Sequence, residues 1–203
     1  MKRGCLIALI VVVAIILIVG IGMYSYIKNS YNNMVALDEN VTQKWAQVEN
    51  VYQRRADLIP NLVEVVKGYA SHERETLEAV VNARSKVGGQ VNLGPELLNN
   101  PQAFAQFQQA QSSLTSALQR LMVVVERYPD LKADKRFADL QVQLEGTENR
   151  IAVERGRFNE AVQGYNTTIR TFPANMIAGF FGFEQKVYFN AEAGAEKAPE
   201  VKF

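Results

Sequence analysis

Large apolar side chains recur at every seventh position along most of this chain, and this spacing restricts the possible fold more than any other feature. The series are Tyr31, Asp38, Trp45, Tyr52 and Ile59, interleaved with Met34, Val41, Val48, Arg55 and Leu62; then Phe107, Leu114, Leu121 and Tyr128; and last Phe137, Leu144, Ile151, Phe158 and Tyr165. Asp38 and Arg55 are the polar exceptions. A seven-residue repeat gives a helix one apolar face, and such helices pack nearly parallel, at about 20°. The sequence therefore predicts an all-α fold, with an N-terminal transmembrane helix followed by an antiparallel bundle of long, heptad-patterned helices.

The number of helices depends on the stretch Asn29–Val87, which contains no clear turn sequence. Pro60 is one place for a break or a kink, because an internal proline removes a backbone hydrogen bond and costs about 3 kcal/mol. Ser71 is another, since serine caps helix N-termini and two glutamates follow it. We predict two helices here and four in the bundle, with one long kinked helix as the alternative. Four traverses would return the chain, near Phe172, to the end of the bundle that faces the membrane.

An uninterrupted apolar run, Leu6–Met23, precedes the heptads and holds 18 residues without a charge or a hydroxyl group. As a helix it would rise about 27 Å, close to the thickness of the hydrocarbon core of a bilayer. Tyr24 and Tyr26 follow, and aromatic rings favour the membrane interface. The predicted membrane-spanning residues include Leu6, Ile10, Ala14, Leu17, Ile21 and Met23. A signal peptide cleaved near Gly20–Gly22 is the alternative.

The orientation in the membrane rests on few charges. Lys2 and Arg3 precede the apolar run, whereas Lys28 is the first basic residue on the other side. The positive-inside rule then keeps the N-terminus in the cytoplasm and sends the bundle out of it. Cys5 lies at the membrane boundary, where palmitoylation is possible, although an inert residue is the simpler interpretation.

Residues 172–183 form a second unusual segment, with four phenylalanines, a methionine, an isoleucine and no charge. The segment is too short to span a bilayer. Three interpretations stay open: a cap on the bundle, a helix that dips into the headgroup region, or a contact with another subunit or partner. The interface candidates are Tyr24, Tyr26, Phe172, Met176, Ile177, Phe180, Phe181 and Phe183. The predicted parts of the chain are an anchor at 1–27, a bundle at 28–172, and this aromatic segment with a polar tail at 173–203.

Arg54, Arg55 and Asp57, just before Pro60, form the most suggestive polar cluster. Arg55 falls on the apolar stripe, and because an unpaired buried charge is costly, it should find a carboxylate. Asp57 is too close in sequence to face it on a regular helix. A bend at Pro60, or an acid on the last helix such as Glu154, would supply the partner. We interpret the cluster as a structural ion pair, with a ligand or partner site as the alternative.

No combination of residues indicates a catalytic centre. His72 is the only histidine and has no companion at metal-ligand spacing. Glu73, Glu75 and Glu78 lack the Glu-x-x-His motif of di-iron bundles and are best interpreted as solvated surface charge. We predict no enzyme, no catalytic residues, no metal site and no cofactor. The formal net charge of +1 gives no reason to expect a nucleic-acid partner.

Two stretches resemble signature segments of the LemA family. They are Gln53–Glu75, with the sequence QRRADLIPNLVEVVKGYASHERE, and Tyr165–Phe189, with YNTTIRTFPANMIAGFFGFEQKVYF. The resemblance covers essentially the whole chain and implies a helical bundle on a bacterial membrane anchor. It implies no reaction, and some relatives are linked to membrane organisation, including the shaping of magnetosome membranes. Family descriptions place the short N-terminus outside the cell, opposite to the charge-based prediction.

These features favour a non-enzymatic, membrane-anchored helical scaffold or interaction protein. The expected partners are the lipid bilayer, further copies of the chain and another membrane protein, and the hypothesis includes self-assembly and organisation of the membrane. A sensory or regulatory bundle that binds a small ligand or a membrane partner is the alternative. A small-ligand site would require a concave pocket lined by a few polar groups.

Overall fold

The computed structural model describes residues 2–89 and 94–190. Its first helix, α1, runs from Lys2 to Tyr69 without interruption, a length of about 102 Å. The large apolar side chains from Ile7 to Met23 are exposed. By length and composition, α1 is able to cross a membrane. The predicted anchor and the first bundle helix are therefore one continuous helix.

Pro60 lies inside α1 and does not end it. An internal proline leaves the carbonyl four positions earlier without its helical donor, and here that carbonyl belongs to Ala56. The side chain of Arg84, on the second helix, donates to it instead, with Nε 2.8 Å from the Ala56 oxygen. The break comes around Ser71, between α1 and α2. Two helices are therefore present in this stretch, as predicted.

Five further helices follow α1 in the described residues. Their bounds are Arg74–Gly89 for α2, Pro101–Val125 for α3, Pro129–Lys132 for α4, Lys135–Arg170 for α5 and Ala174–Phe181 for α6, with a 3₁₀ turn at Pro95–Asn99. A polar side chain caps the N-terminus of each of the two longest of these helices, α3 and α5. The Asn100 side chain accepts from the Ala103 amide at the start of α3. The Asp134 side chain accepts from the amides of Arg136 and Phe137 at the start of α5. These bonds satisfy backbone donors that a helix N-terminus leaves free.

The four long helices form an antiparallel bundle, in which α1 pairs with α5 and α2 with α3. The ring of Trp45 lies 5.5 Å from that of Phe158, and Arg55 contacts Glu148. These two contacts are ten positions apart on each helix, as antiparallel helices of equal rise require. The chain runs outward along α1, back along α2, outward along α3 and back along α5. The predicted bundle is confirmed.

The buried core divides into two clusters along the bundle. The distal cluster includes Ile59, Leu62, Leu114, Leu121 and Leu144. The cluster nearer the apolar N-terminal part of α1 includes Trp45, Phe104, Phe107, Phe158 and Tyr165. Ile177, Ala178 and Phe189 complete the second cluster. The C-terminal segment therefore fills the space that α2 and α3 leave beside α1 and α5.

The chain returns to the base of α1 after its fourth traverse. Helix α5 ends at Arg170, and Phe172 lines a shallow depression together with Tyr26 of α1. Tyr26 lies only three residues beyond Met23, the end of the apolar run. The aromatic segment thus begins beside the exit of the predicted anchor.

Candidate functional site

Arg55 lies at the centre of a buried polar network that joins three helices. Its side chain is only 2% exposed. One terminal nitrogen, Nη1, donates to Glu148 on α5 at 2.7 Å and to Thr115 on α3 at 3.1 Å. The other, Nη2, donates to Gln111 on α3, and the guanidinium carbon lies 5.2 Å from the centre of the Tyr52 ring. The network ties α3 to the α1–α5 pair.

The carboxylate that Arg55 requires comes from the last long helix, at a different position from the one suggested by the sequence. Glu148 supplies it, because Glu148 is level with Arg55 in the antiparallel register. Glu154 lies almost two turns further along α5 and accepts instead from Arg157, at 2.7 Å. A buried charge with a matched partner is the expected solution to its desolvation cost.

The other two members of the predicted polar cluster point elsewhere. Arg54 and Asp57 are exposed. Asp57 accepts a hydrogen bond from Gln53, one turn earlier on α1, at 2.8 Å. Of the three, only Arg55 belongs to the buried network.

An open groove between α3 and α5 leads to this network. Its volume is about 730 Å³, within the range of small-molecule sites. Its lining includes Gln108, Gln111 and Ser112 from α3, Glu148, Ala152 and Arg155 from α5, and Arg55 from α1. The groove is thus a concave surface with several polar groups.

Residues 183–190, here called the strap, follow α6 and return along α5. Two asparagines of α5 hold them. Asn166 donates to the Lys186 carbonyl and accepts from the Lys186 amide, both at 2.9 Å. Asn159 does the same for Phe189, at 3.0 and 2.9 Å. Each side-chain amide therefore pairs with both backbone groups of one strap residue, as a neighbouring β-strand would.

Phe189 fixes the far end of the strap in an aromatic socket. Its ring centre lies 4.9 Å from that of Phe104, 5.5 Å from Phe158 and 6.0 Å from Trp45. The guanidinium of Arg155 lies over the same ring, 4.7 Å from its centre. The strap is therefore part of the core and not a loose tail.

Replacing Asn159 with alanine is expected to loosen the strap while the bundle stays folded. The change leaves the amide and carbonyl of Phe189 without their partner, at a cost of about 1–3 kcal/mol. We expect the Phe189 amide to exchange its hydrogen about tenfold faster, or more, in a local opening. Hydrogen exchange followed by mass spectrometry measures this rate. Asn149→Ala, at an exposed position of the same helix, is the control, and equal rates in the two variants would contradict the expectation.

Asp38, a polar residue on the apolar stripe, binds the strap as well. The Lys186 ammonium lies 2.9 Å from Asp38 Oδ1, as an ion pair without a well-directed hydrogen bond. The same ammonium lies 5.6 Å from the centre of the Tyr165 ring. Burial, together with the nearby carboxylates of Asp38 and Glu184, raises the pKa of Tyr165 to about 12. The phenol therefore keeps its proton at physiological pH.

Two tyrosine–carboxylate contacts close the distal turns. Tyr69 donates to Asp134 at 2.8 Å, and this bond is the main reason that the pKa of Asp134 is lowered. Tyr128 donates to Glu73 at 3.1 Å, which raises the pKa of Tyr128. A carboxyl group with a lowered pKa stabilises the fold above its ordinary pKa. The contribution of Asp134 is lost as the pH falls through the lowered value.

The described residues contain no group of three or more histidine, cysteine, aspartate or glutamate side chains that could hold a metal ion. His72 is exposed in the turn between α1 and α2. Glu75 and Glu78 are exposed on α2, whereas Glu73 accepts from Arg127 at 2.9 Å. These side chains serve as surface charge or as turn contacts.

Helix α6 buries one face and exposes the other. Ile177 and Ala178 are buried. Four side chains point outward, which we call the membrane-proximal patch: Phe172, Met176, Phe180 and Phe181, exposed by 77, 68, 84 and 47%. Gly182 ends the helix with φ 76°, a left-handed conformation that glycine adopts readily.

The remaining interface candidates lie around this patch. Tyr24 and Tyr26 are exposed on α1. Phe183 is half-buried, with its ring 5.7 Å from that of Tyr31. Ile177, grouped with them on sequence, faces inward and serves as a packing residue of the bundle. The outward-facing aromatic residues and the exit of the predicted anchor thus lie at one end of the molecule.

Comparison with known families gives a match to the LemA family over residues 44–203. The chain belongs to the LemA family. Both stretches that resemble this family lie inside the match, and the first contains Arg55 while the second contains α6 and most of the strap. The two stretches supply Arg55, α6 and Asn166, whereas Glu148 and Asn159 lie elsewhere in the matched region.

The relatives of this LemA protein include proteins of magnetotactic bacteria. Magnetosome proteins MamQ 1 and MamQ 2 of Paramagnetospirillum magneticum are 28% identical to it over an alignment of 181 residues, which covers 82% of this chain and 66% of each relative. Protein LemA of Metamycoplasma hominis is 24% identical over 162 residues, or 79% of this chain and 69% of the relative. This chain spans just under two thirds of the MamQ proteins that it matches. An apolar N-terminal helix in a family with such members indicates a membrane-associated protein.

Sequence reasoning did not find the partners of Arg55, which are Gln111, Thr115 and Glu148. It also did not find Arg84, Asn159, Asn166 and Lys186. A partial signal existed for the asparagines, which are polar residues seven positions apart on the last long helix. No local pattern connects Lys186 with Asp38 or Arg84 with Ala56, since each contact joins distant parts of the chain.

Proposed function

We propose that this LemA protein is a non-enzymatic scaffold of the bacterial membrane, which acts through the membrane-proximal end of its bundle. The observation that carries the proposal is the membrane-proximal patch, four outward-facing apolar side chains beside the exit of the apolar helix. Exposed apolar surface of this kind usually marks a contact with a partner or a membrane. The magnetosome proteins among its relatives support a role in organising membrane.

The end of the patch that is nearer the anchor lies at the height of the headgroup region of a bilayer. Tyr26, level with Phe172, lies three residues beyond Met23, which is about 4.5 Å along a helix. The ring of Phe181 lies 4.8 Å from that of Tyr31, which is eight residues beyond Met23, or about 12 Å. The headgroup layer extends about 5–8 Å beyond the hydrocarbon core. Phe172 therefore falls inside this layer, whereas the ring of Phe181 lies about 4 Å or more beyond it when α1 is upright.

Lipid contact along the patch would hold the bundle against the membrane. Complete burial of one large apolar side chain contributes about 1.5–3 kcal/mol. Insertion of Phe172, and of the other patch side chains when α1 tilts towards them, would contribute on the order of several kcal/mol in addition to the anchor. We infer that α6 is a second membrane contact, which keeps the base of the bundle close to the bilayer. Assembly with further copies would then place many such membrane contacts side by side on the bilayer.

A fluorescent label at position 180 of the full chain tests whether α6 contacts the membrane. In the Cys5→Ser background, Phe180→Cys labelled with an environment-sensitive dye should show blue-shifted emission in lipid vesicles. Quenchers attached near the lipid headgroups should reduce its intensity. Val142→Cys, exposed on the distal half of α5, should behave as a label in water.

Equal emission spectra and equal quenching at positions 180 and 142 would refute the contact between α6 and the membrane. A shielded label at position 180 without lipid quenching would point instead to a protein partner. Cross-linking of the unlabelled protein in membranes tests assembly. A strict monomer without any cross-linked partner would remove the scaffold hypothesis.

A second candidate function is the binding of a small ligand in the groove between α3 and α5. The groove favours it, because a concave surface with polar groups is what such a function requires. Native mass spectrometry of protein purified from bacterial membranes would detect a retained small molecule. Loss of that mass in a Gln108→Leu variant would place it in the groove.

A further inference from the structure

The groove between α3 and α5 lies directly on the path of the strap. The last described residue of the strap, Asn190, is held at the mouth of the groove by both walls. Its amide donates to Gln108 on α3 at 3.2 Å. Its carbonyl accepts from Arg155 on α5 at 3.1 Å. The chain is therefore aimed along the groove at the point where the described segment ends.

The strap follows α5 with a regular register. Lys186 pairs with Asn166 and Phe189 with Asn159, so three strap residues correspond to seven residues of α5. Three extended residues and seven helical residues both span about 10 Å. One further step of the same length brings the chain level with Ala152, which lines the groove.

We propose that the groove is the docking channel for the residues of the same chain that follow Asn190. The sequence there, Ala191-Glu192-Ala193-Gly194, consists mainly of small residues. Such residues suit a narrow space between two helices. Docking at this position covers the Arg55 network and continues the register of the strap along α5 by one step. This inference concerns the middle of the bundle, away from the membrane-proximal patch, and does not depend on the proposed scaffold role.

Two engineered disulfides test the proposal in the full chain, with Cys5→Ser as background. Glu192 is two residues beyond Asn190, and Ser112 is four residues beyond Gln108; both steps span about 6–7 Å. Glu192→Cys with Ser112→Cys should therefore close an intrachain disulfide under mild oxidation. Glu192→Cys with Ala152→Cys probes the opposite wall in the same way. Mass spectrometry and non-reducing gels measure the rate.

The neighbouring residues Ser113 and Val153 give matched controls, because both are exposed and neither lines the groove. We expect their disulfides with Glu192→Cys to form on the order of tenfold more slowly, since the geometry of a disulfide is narrow. Circular dichroism confirms that each variant is folded.

Equal rates for groove and control cysteines in folded variants would overturn the proposal. So would disulfides that join two chains, in a mixture of chains that carry one cysteine each. That result would assign the groove to the tail of a second copy.

Discussion

Replacing Trp45 with alanine is expected to lower the free energy of unfolding by about 4 kcal/mol, since truncation of a buried large aromatic side chain typically costs 3–5 kcal/mol. Trp45 is one of the largest fully buried side chains. Its ring centre lies within 6.0 Å of those of Phe104, Phe107, Phe158 and Phe189. The cavity would therefore face α3, α5 and the strap together.

The measurement is chemical unfolding of the full chain in detergent, followed by circular dichroism because the variant lacks its only tryptophan. Trp45→Phe keeps a ring in the socket and is expected to cost less than half as much. Because Phe189 packs on Trp45, the alanine variant should also release the strap before the bundle unfolds. If Trp45→Ala lowers the free energy of unfolding by less than about 1 kcal/mol, the surrounding aromatic side chains must move to fill the cavity.

Replacing Glu148 with leucine is the second large effect, with an expected loss of about 3 kcal/mol. The change leaves the Arg55 guanidinium, 2% exposed, without a carboxylate. The value falls at the lower end for broken buried pairs, because Glu148 is 37% exposed and water in the groove shares its solvation. Arg55→Met should cost less, about 1–2 kcal/mol, since Glu148 is then free to turn towards solvent.

The double variant separates pairing from packing. If the ion pair governs stability, Arg55→Met should rescue part of the loss caused by Glu148→Leu, so that the two costs are not additive. Glu154→Leu removes the partner of the exposed Arg157 and is the control, with an expected loss below about 1 kcal/mol. Additive losses for Arg55 and Glu148 would mean that each acts through packing alone.

The helical part of this fold could be predicted from the seven-residue repeat, because each repeat reports one apolar face of one helix. The partner of Arg55 could not, because it depends on the register between α1 and α5. Once Trp45 is set beside Phe158, Arg55 is necessarily level with Glu148. The sequence contains both positions but not their alignment. Long-range contacts decided the choice between Glu148 and Glu154.

The same reasoning explains why α1 passes through Pro60. Propensity alone disfavours the proline, since it leaves the Ala56 carbonyl without a helical donor. Arg84 supplies the missing donor from another helix. A local rule therefore predicted a possible break, and a tertiary contact prevented it. The apolar segment at 172–183 shows the converse case, since its composition was plain while its division into a buried and an exposed face required the helix α6 itself.

Because α1 runs without interruption from the apolar segment to the distal end of the bundle, any change in its tilt displaces that distal end. From Met23 to Tyr69 the helix extends about 69 Å without a joint. Transmembrane helices tilt by about 20° on average, and the angle responds to the thickness of the bilayer. Such a tilt would swing the far tip sideways by about 24 Å. If α1 spans the bilayer, a difference of a few ångströms in membrane thickness would be converted into a displacement many times larger at the height of the distal turns.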